Sequence, residues 1–264
     1  MKRVLSALVL GPAVLLILLA APPLVGVILV AAINVIAVVE MRKLVAPGES
    51  FPTGMAILGA FIMPACAWKG GETGLASGLA ASVLILMIAG LVGYRAKGAA
   101  RGIANGVFVL VFPVWALTHA VLFLGGSQGP IALFYLLLVI WTCDTSAYLF
   151  GSAFGKRKLA PTVSPNKSVE GFLAGLVSSL PVSVAFYYLS SLNWSLSFIM
   201  AAGLIIAFAG QLGDLVESAI KRGASVKDSG SLIPGHGGIL DRIDSLLFAV
   251  PVFYYLVQLS RSGF

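Results

Sequence analysis

Charge is what this chain has least of: only 10% of its 264 residues are charged, against 59% hydrophobic and a mean hydropathy of +1.03. So little polar side chain cannot cover a globule, which excludes a soluble protein with an apolar core and a polar surface. Cysteine is nearly absent too. Cys66 and Cys143 fall in separate apolar segments, so neither a disulfide framework nor a zinc site can be built from them. Of the two histidines, His119 sits alone in an apolar stretch and reads as a satisfied core residue. Acidic residues are sparse before position 144, where only Glu40, Glu49 and Glu72 occur; the other seven of the ten follow. No tandem repeat, heptad run or low-complexity linker interrupts the chain, so 1–264 reads as one domain. Residues 1–130 look like a mainly helical scaffold, and 131–264 look like the catalytic portion.

What is abundant is long apolar segments. At roughly 20 residues per crossing, the chain reads as an all-α polytopic membrane protein of about nine spans. These are 4–21, 23–40, 52–68, 75–93, 103–124, 130–150, 171–190, 196–220 and 245–260. The first, with Lys2 and Arg3 ahead of it, has the outline of a signal peptide, but Pro22-Pro23 and a second apolar run follow at once and fit a hairpin of two spans better. Small residues such as Gly74, Gly78 and Ala81 would let helices approach closely in lipid. The sequon Asn193-Trp194-Ser195 lies in a short loop hugging the membrane and reads as chance.

Lys and Arg accumulate in cytoplasmic loops. With the N-terminus cytoplasmic and nine alternating spans, only Lys69 and Arg261 of the 17 basic residues fall outside. The net charge of +7 then belongs mainly to one face, suited to anionic headgroups and phosphorylated solutes. For Arg42, Lys43, Arg95, Lys97 and Arg101, setting topology is explanation enough.

The densest polar run is Ser218 to Asp244, SAIKRGASVKDSGSLIPGHGGILDRID, with seven charged residues around a Pro-Gly-His-Gly-Gly turn. Charge so concentrated at the edge of hydrocarbon is expensive and points to a site. Asp214, Glu217, Ser218 and Lys221 are spaced to share one stripe of a helix. Asp241 and Asp244 begin the last apolar segment, where the helix dipole also favours carboxylates. Carboxylates converging from separate helices are a usual way to hold Mg²⁺ beside substrate phosphates. Asp214 and Asp241 are therefore the expected metal pair, with Asp244 in support and Asp144 on the same face. Gly235, Gly237 and Gly238 around His236, next to Lys221, Arg222, Lys227 and Arg242, suggest a cradle for several phosphates. The cytoplasmic loops are expected at 151–170 and 221–244. In the first, Lys156, Arg157 and Lys158 fit a topological role, whereas Ser164-Pro165-Asn166-Lys167 sets a lysine before a helix entrance, where an anion would bind.

These residues resemble a known family. Ser218-Ala-Ile-Lys221-Arg222, then Lys227-Asp228, then Ile233 through Asp244 match the signature of the phosphatidate cytidylyltransferases, or CDP-diacylglycerol synthases, over 27 residues with no departure. Asp144-Thr145 through Tyr148, Gly155-Lys156 with Lys158-Leu159, and Ser164-Pro165 through Lys167 to Glu170-Gly171 agree as well. Ser168 stands where the family commonly has Thr. The first 130 residues resemble the family only in hydropathy and length. The resemblance implies a homodimeric enzyme of the cell inner (plasma) membrane, its active site facing the cytoplasm, that converts CTP and phosphatidate to CDP-diacylglycerol and pyrophosphate. It implies Mg²⁺, a second cation such as K⁺, and no nucleic-acid partner. Lys221, Arg222, Lys227, His236 and Arg242 are then expected to act on the reacting phosphates, and Ser164, Asn166, Lys167, Ser218, Gly237 and Gly238 to bind substrate. Alternatives are a CTP-dependent polyprenol or lipid kinase and a cation transporter; the acidic groups cluster at one end beside Lys and Arg, which disfavours a midplane ion path.

Overall fold

The computed structural model describes residues 2–47, 52–93, 98–232 and 237–261. Glu49, Arg95, Lys97, Gly235 and His236 lie outside them. Among the described residues seven helices are long and apolar enough to cross a bilayer. Large apolar side chains such as Ile28, Leu84, Ile88, Val177 and Leu189 are exposed on them. That distribution suits lipid as the surrounding solvent.

Helix α1 (Lys2–Ala20) leads through Pro22 into α2 (Pro23–Val45), whose first position holds the proline and whose last turn holds Arg42 and Lys43. Both choices follow helix-end chemistry: proline has no N–H to leave unpaired, and cations suit the carbonyl end. Helix α3 (Thr53–Gly93) is a hairpin rather than one rod, because Gly71 breaks it at φ 58°, ψ −138°. A Cβ on Gly78 would lie 3.2 Å from Met63 Cα, and one on Gly59 would lie 3.1 Å from Ser82 Cβ, approaches impossible along a straight helix. The halves correspond to the expected segments 52–68 and 75–93. Gly74 and Gly78 serve the close packing anticipated for them.

Helix α4 (Ala99–Val109), a π-helical turn (Leu110–Trp115) and α5 (Ala116–Leu124) form one continuous rod. Pro113 removes a backbone donor from the turn, and just after it side chains of α5 bond back to carbonyls one turn earlier. Thr118 Oγ1 donates to the Val114 carbonyl at 2.6 Å, and His119 Nδ1 lies 2.9 Å from the Trp115 carbonyl. His119 is fully buried and is the satisfied core histidine that its isolation suggested.

Helix α6 (Gly129–Phe154) is followed by the one departure from an all-helical chain among the described residues, an antiparallel hairpin of β1 (Lys158–Ala160) and β2 (Ser164–Ser168). Helices α7 (Val169–Leu189), α8 (Leu196–Gly223) and α9 (Leu240–Arg261) complete the chain. Ser168 caps α7 and Ser195 caps α8, each hydroxyl accepting from an amide three residues on. The sequon serine is thus a helix cap. Glycines bring these helices together, since a Cβ at Gly175 would meet Cys143 Sγ at 2.9 Å and one at Gly213 would meet the Asp244 carbonyl at 2.5 Å. The charged ends of α2, α6, α8 and α9 and the β-hairpin gather at one end of the bundle. The tip of α3 lies toward the other, where Tyr254 donates to Glu72 at 2.8 Å.

Candidate functional site

The β-hairpin is fixed at its base by Glu170, which accepts from the amides of Lys156 at 3.0 Å and Arg157 at 3.2 Å. Its second strand carries Lys167 inward, and Lys167 Nζ meets Asp214 Oδ2 at 2.6 Å. At the entrance of α7, Ser168 Oγ already occupies the Gly171 amide and Glu170 fills the first turn. Lys167 therefore faces α8, and the helix entrance that suggested an anion site is filled by the chain's own groups. Ser164 and Asn166 stand on the same strand, Asn166 exposed and Ser164 half-buried. Arg222, at the end of α8, reaches the turn of the hairpin, donating to the carbonyls of Val163 at 3.2 Å and Val226 at 3.1 Å.

The stripe read from the spacing on α8 exists. Ser218 donates to Asp214 Oδ1 at 3.2 Å, and one turn on, Lys221 pairs with Glu217. Glu217 is fully buried, and its Oε1 has no hydrogen-bond partner among the described residues. Lys221 Nζ also lies 2.6 Å from Asp241 Oδ1, so one ammonium ties α8 to α9 through two carboxylates. Asp241 Oδ2 accepts from the Ser229 amide at 2.9 Å, the Ser229 hydroxyl at 3.0 Å and the Gly238 amide at 2.8 Å.

The glycines of the turn therefore answer first to carboxylates of the protein. Gly237 has φ 80°, and a Cβ there would lie 2.5 Å from Asp241 Oδ2. A Cβ at Gly238 would collide with Ser229 Oγ and Glu40 Oε2. The Gly238 amide, read from sequence as part of a phosphate cradle, points at Asp241.

Asp144, Asp214 and Asp244 act electrostatically on one another, Glu217 on Asp244, and Asp241 on Glu217. The cations within reach of this group are Lys167, Lys221 and Arg242. Asp144 is exposed on α6 and lies within electrostatic reach of Asp214, Lys167 and Arg242. It lies ten residues before the end of α6, roughly 15 Å along the helix. Arg242 and Lys227 are exposed, and Lys227 has no ion-pair partner among the described residues. Both are available to an incoming anion.

Among the described residues no three Asp, Glu, His or Cys side chains converge as a ready-made metal cage. The donor set nevertheless fits Mg²⁺: it is hard carboxylate oxygen, and that ion commonly takes one or two carboxylates and completes its shell with water and substrate phosphates.

Two residues of the site escaped the sequence reading. Glu217 was seen as part of the stripe but given no role. Glu40, assigned to the scaffold, reaches from α2 into the loop before α9: Oε1 accepts from the Ile239 amide at 3.0 Å, and Oε2 from the Leu240 amide at 2.9 Å and the Ser229 hydroxyl at 3.1 Å. The available signal was a carboxylate inside an otherwise apolar helix, costly unless partnered.

A sequence profile described as the Cytidylyltransferase family matches residues 1–260. Relatives named "Phosphatidate cytidylyltransferase" include those of Staphylococcus aureus strain COL, 49% identical over 131 residues, and Bacillus subtilis strain 168, 48% identical over 133 residues. That of Staphylococcus haemolyticus strain JCSC1435 is 47% identical over 131 residues. The matched stretch covers 50% of this chain in each case and 50%, 49% and 50% of the respective relatives, so the chain spans about half the length of the curated relatives it matches.

Proposed function

Because this chain belongs to the Cytidylyltransferase family, we propose that it transfers the cytidylyl group of CTP to phosphatidate, giving CDP-diacylglycerol and pyrophosphate. The observation that carries the reading is the carboxylate cluster that Asp144, Asp214 and Asp244 form beside Lys167. A carboxylate cluster with Lys167 and Arg242 in electrostatic reach, at the polar end of a membrane bundle, suits a triphosphate and a lipid phosphate with a divalent ion between them.

In this reading a phosphate oxygen of phosphatidate attacks the α-phosphorus of CTP, a new P–O bond forms, and the bond to the β-phosphate oxygen breaks to release pyrophosphate. No covalent protein intermediate is needed, so the protein contributes positioning and charge. Asp214 and Asp241, with Asp144 and Asp244 in electrostatic reach of Asp214, would hold Mg²⁺, which when bound supplies neutralisation of the triphosphate charge; a second cation such as K⁺ would have the same carboxylates to draw on. Lys167, leaving Asp214, would turn to the lipid headgroup or the triphosphate. Arg242 and Lys227 would take the remaining phosphate charge, with Arg222 bracing the hairpin against the loop. Lys221, held by Glu217 and Asp241, keeps the two helices in register. Ser164, Asn166, Ser218, Gly237 and His236 complete the proposed substrate contacts. The acyl chains would stay in lipid while the headgroup reaches the carboxylate cluster, with the protein working as a homodimer in the plasma membrane and the site facing the cytoplasm.

The test uses purified protein in detergent with phosphatidate, Mg²⁺ and CTP labelled at the α- or the γ-phosphate. The α-label should enter lipid and the γ-label should appear in pyrophosphate. Label from the γ-position in lipid with release of CDP would make the protein a kinase instead.

A further inference from the structure

We infer that Glu40 is a positioning residue for the transfer reaction, acting from the helix that otherwise looks like scaffold. This rests on the cytidylyltransferase reading for its consequence, though not for its geometry. Glu40 sits at the end of α2 with 4% of its surface exposed, and its partners lie 189 to 200 residues away in the chain. Its two oxygens take the Ile239 and Leu240 amides at the start of α9, donors that the helix itself leaves unpaired. The remaining bond is from Ser229 Oγ, which lies 3.1 Å from Glu40 Oε2 and 3.0 Å from Asp241 Oδ2.

A hydroxyl has one proton to give, so Ser229 can serve only one of these carboxylates at a time. When Asp241 engages a cation, the Ser229 proton has Glu40 to turn to, and the loop need not move. Glycines shape the socket: a Cβ at Gly230 would fall 2.6 Å from Glu40 Oε1, and one at Gly238 would strike Oε2. The carboxylate is thus threaded between the loop's two ends, fixing both Ser229 and Gly238, the residues that orient Asp241 Oδ2 and leave Oδ1 to Lys221.

The experiment compares wild type with Glu40→Gln and Glu40→Ala in detergent, by amide hydrogen exchange across residues 228–241 and by steady-state kinetics against CTP and phosphatidate. Glutamine keeps the volume but turns an amino group toward donors, so it reads the hydrogen bonds even where alanine fails to fold. Exchange at Ile239 and Leu240 should quicken about tenfold or more in the glutamine variant, the usual loss for a bond to a charged acceptor. The kcat should fall by a similar factor while KM for phosphatidate holds. Unchanged exchange in Glu40→Gln overturns the inference whatever the activity. Faster exchange with unaltered kcat leaves Glu40 as a mere structural clasp and overturns it too. Wild-type protein without cytidylyl transfer would sink the functional reading, while the exchange result still reports on the clasp.

Discussion

Lys167 on the β-hairpin and Asp214 on α8 meet at 2.6 Å, tying the hairpin to the helix that carries the acidic stripe. Their side chains keep 26% and 29% of their surface, so the pair is open to exchange with a substrate and a metal ion. Replacing Lys167 with methionine should therefore cost little stability, within about 1 kcal/mol as for other accessible pairs. The same variant should lower kcat/KM by about a hundredfold or more, the loss of a positioned cation. Thermal unfolding in detergent and steady-state assays on one preparation test both halves of this expectation.

Asp241→Asn should abolish turnover while expression and membrane insertion persist. The amide still fills the space, but Lys221 loses one of its two carboxylates and the proposed metal pair loses a charge. Substantial residual activity would remove Asp241 from the metal site.

Gly238→Ala inserts a methyl against Ser229 and Glu40 at the most crowded point of the loop. Activity should drop at least tenfold on the scale of one charge-assisted hydrogen bond lost. Gly223→Ala, where a Cβ meets nothing within 4 Å, is the matched control and should leave activity intact.

Gly71→Ala separates backbone strain from packing at the α3 hairpin. A Cβ at Gly71 meets nothing within 4 Å, so its cost is the backbone conformation alone, about 1 to 3 kcal/mol. A Cβ at Gly74 would run into the Cys66 carbonyl, and Gly74→Ala should lower the melting temperature further. The reverse order would mean that the hairpin is held elsewhere.

Chelation should stop the reaction and added Mg²⁺ restore it. Mg²⁺ should also raise the melting temperature of the wild type, through binding to the folded state alone. Asp214→Asn should shrink that rise, and an equal rise in both proteins would place the ion away from Asp214.

The sequence by itself determined the membrane character, the helical segments and the concentration of chemistry between Ser218 and Asp244, because hydropathy and helical spacing are local properties carried by neighbouring residues. The α8 stripe of Asp214, Ser218 and Lys221 was legible for the same reason: residues four apart share a helix face whatever surrounds them. The hairpin inside α3 was legible as two segments, although its sharpness depends on a single positive φ at Gly71. Only the tertiary structure decided who partners whom across helices. Glu40 looked like an isolated acid in scaffold, and Gly238 like a donor to phosphate; folding brought them to Ser229 and Asp241. Bonds spanning up to 200 residues leave no periodic trace in a sequence, since what selects them is the three-dimensional need to pair every buried charge.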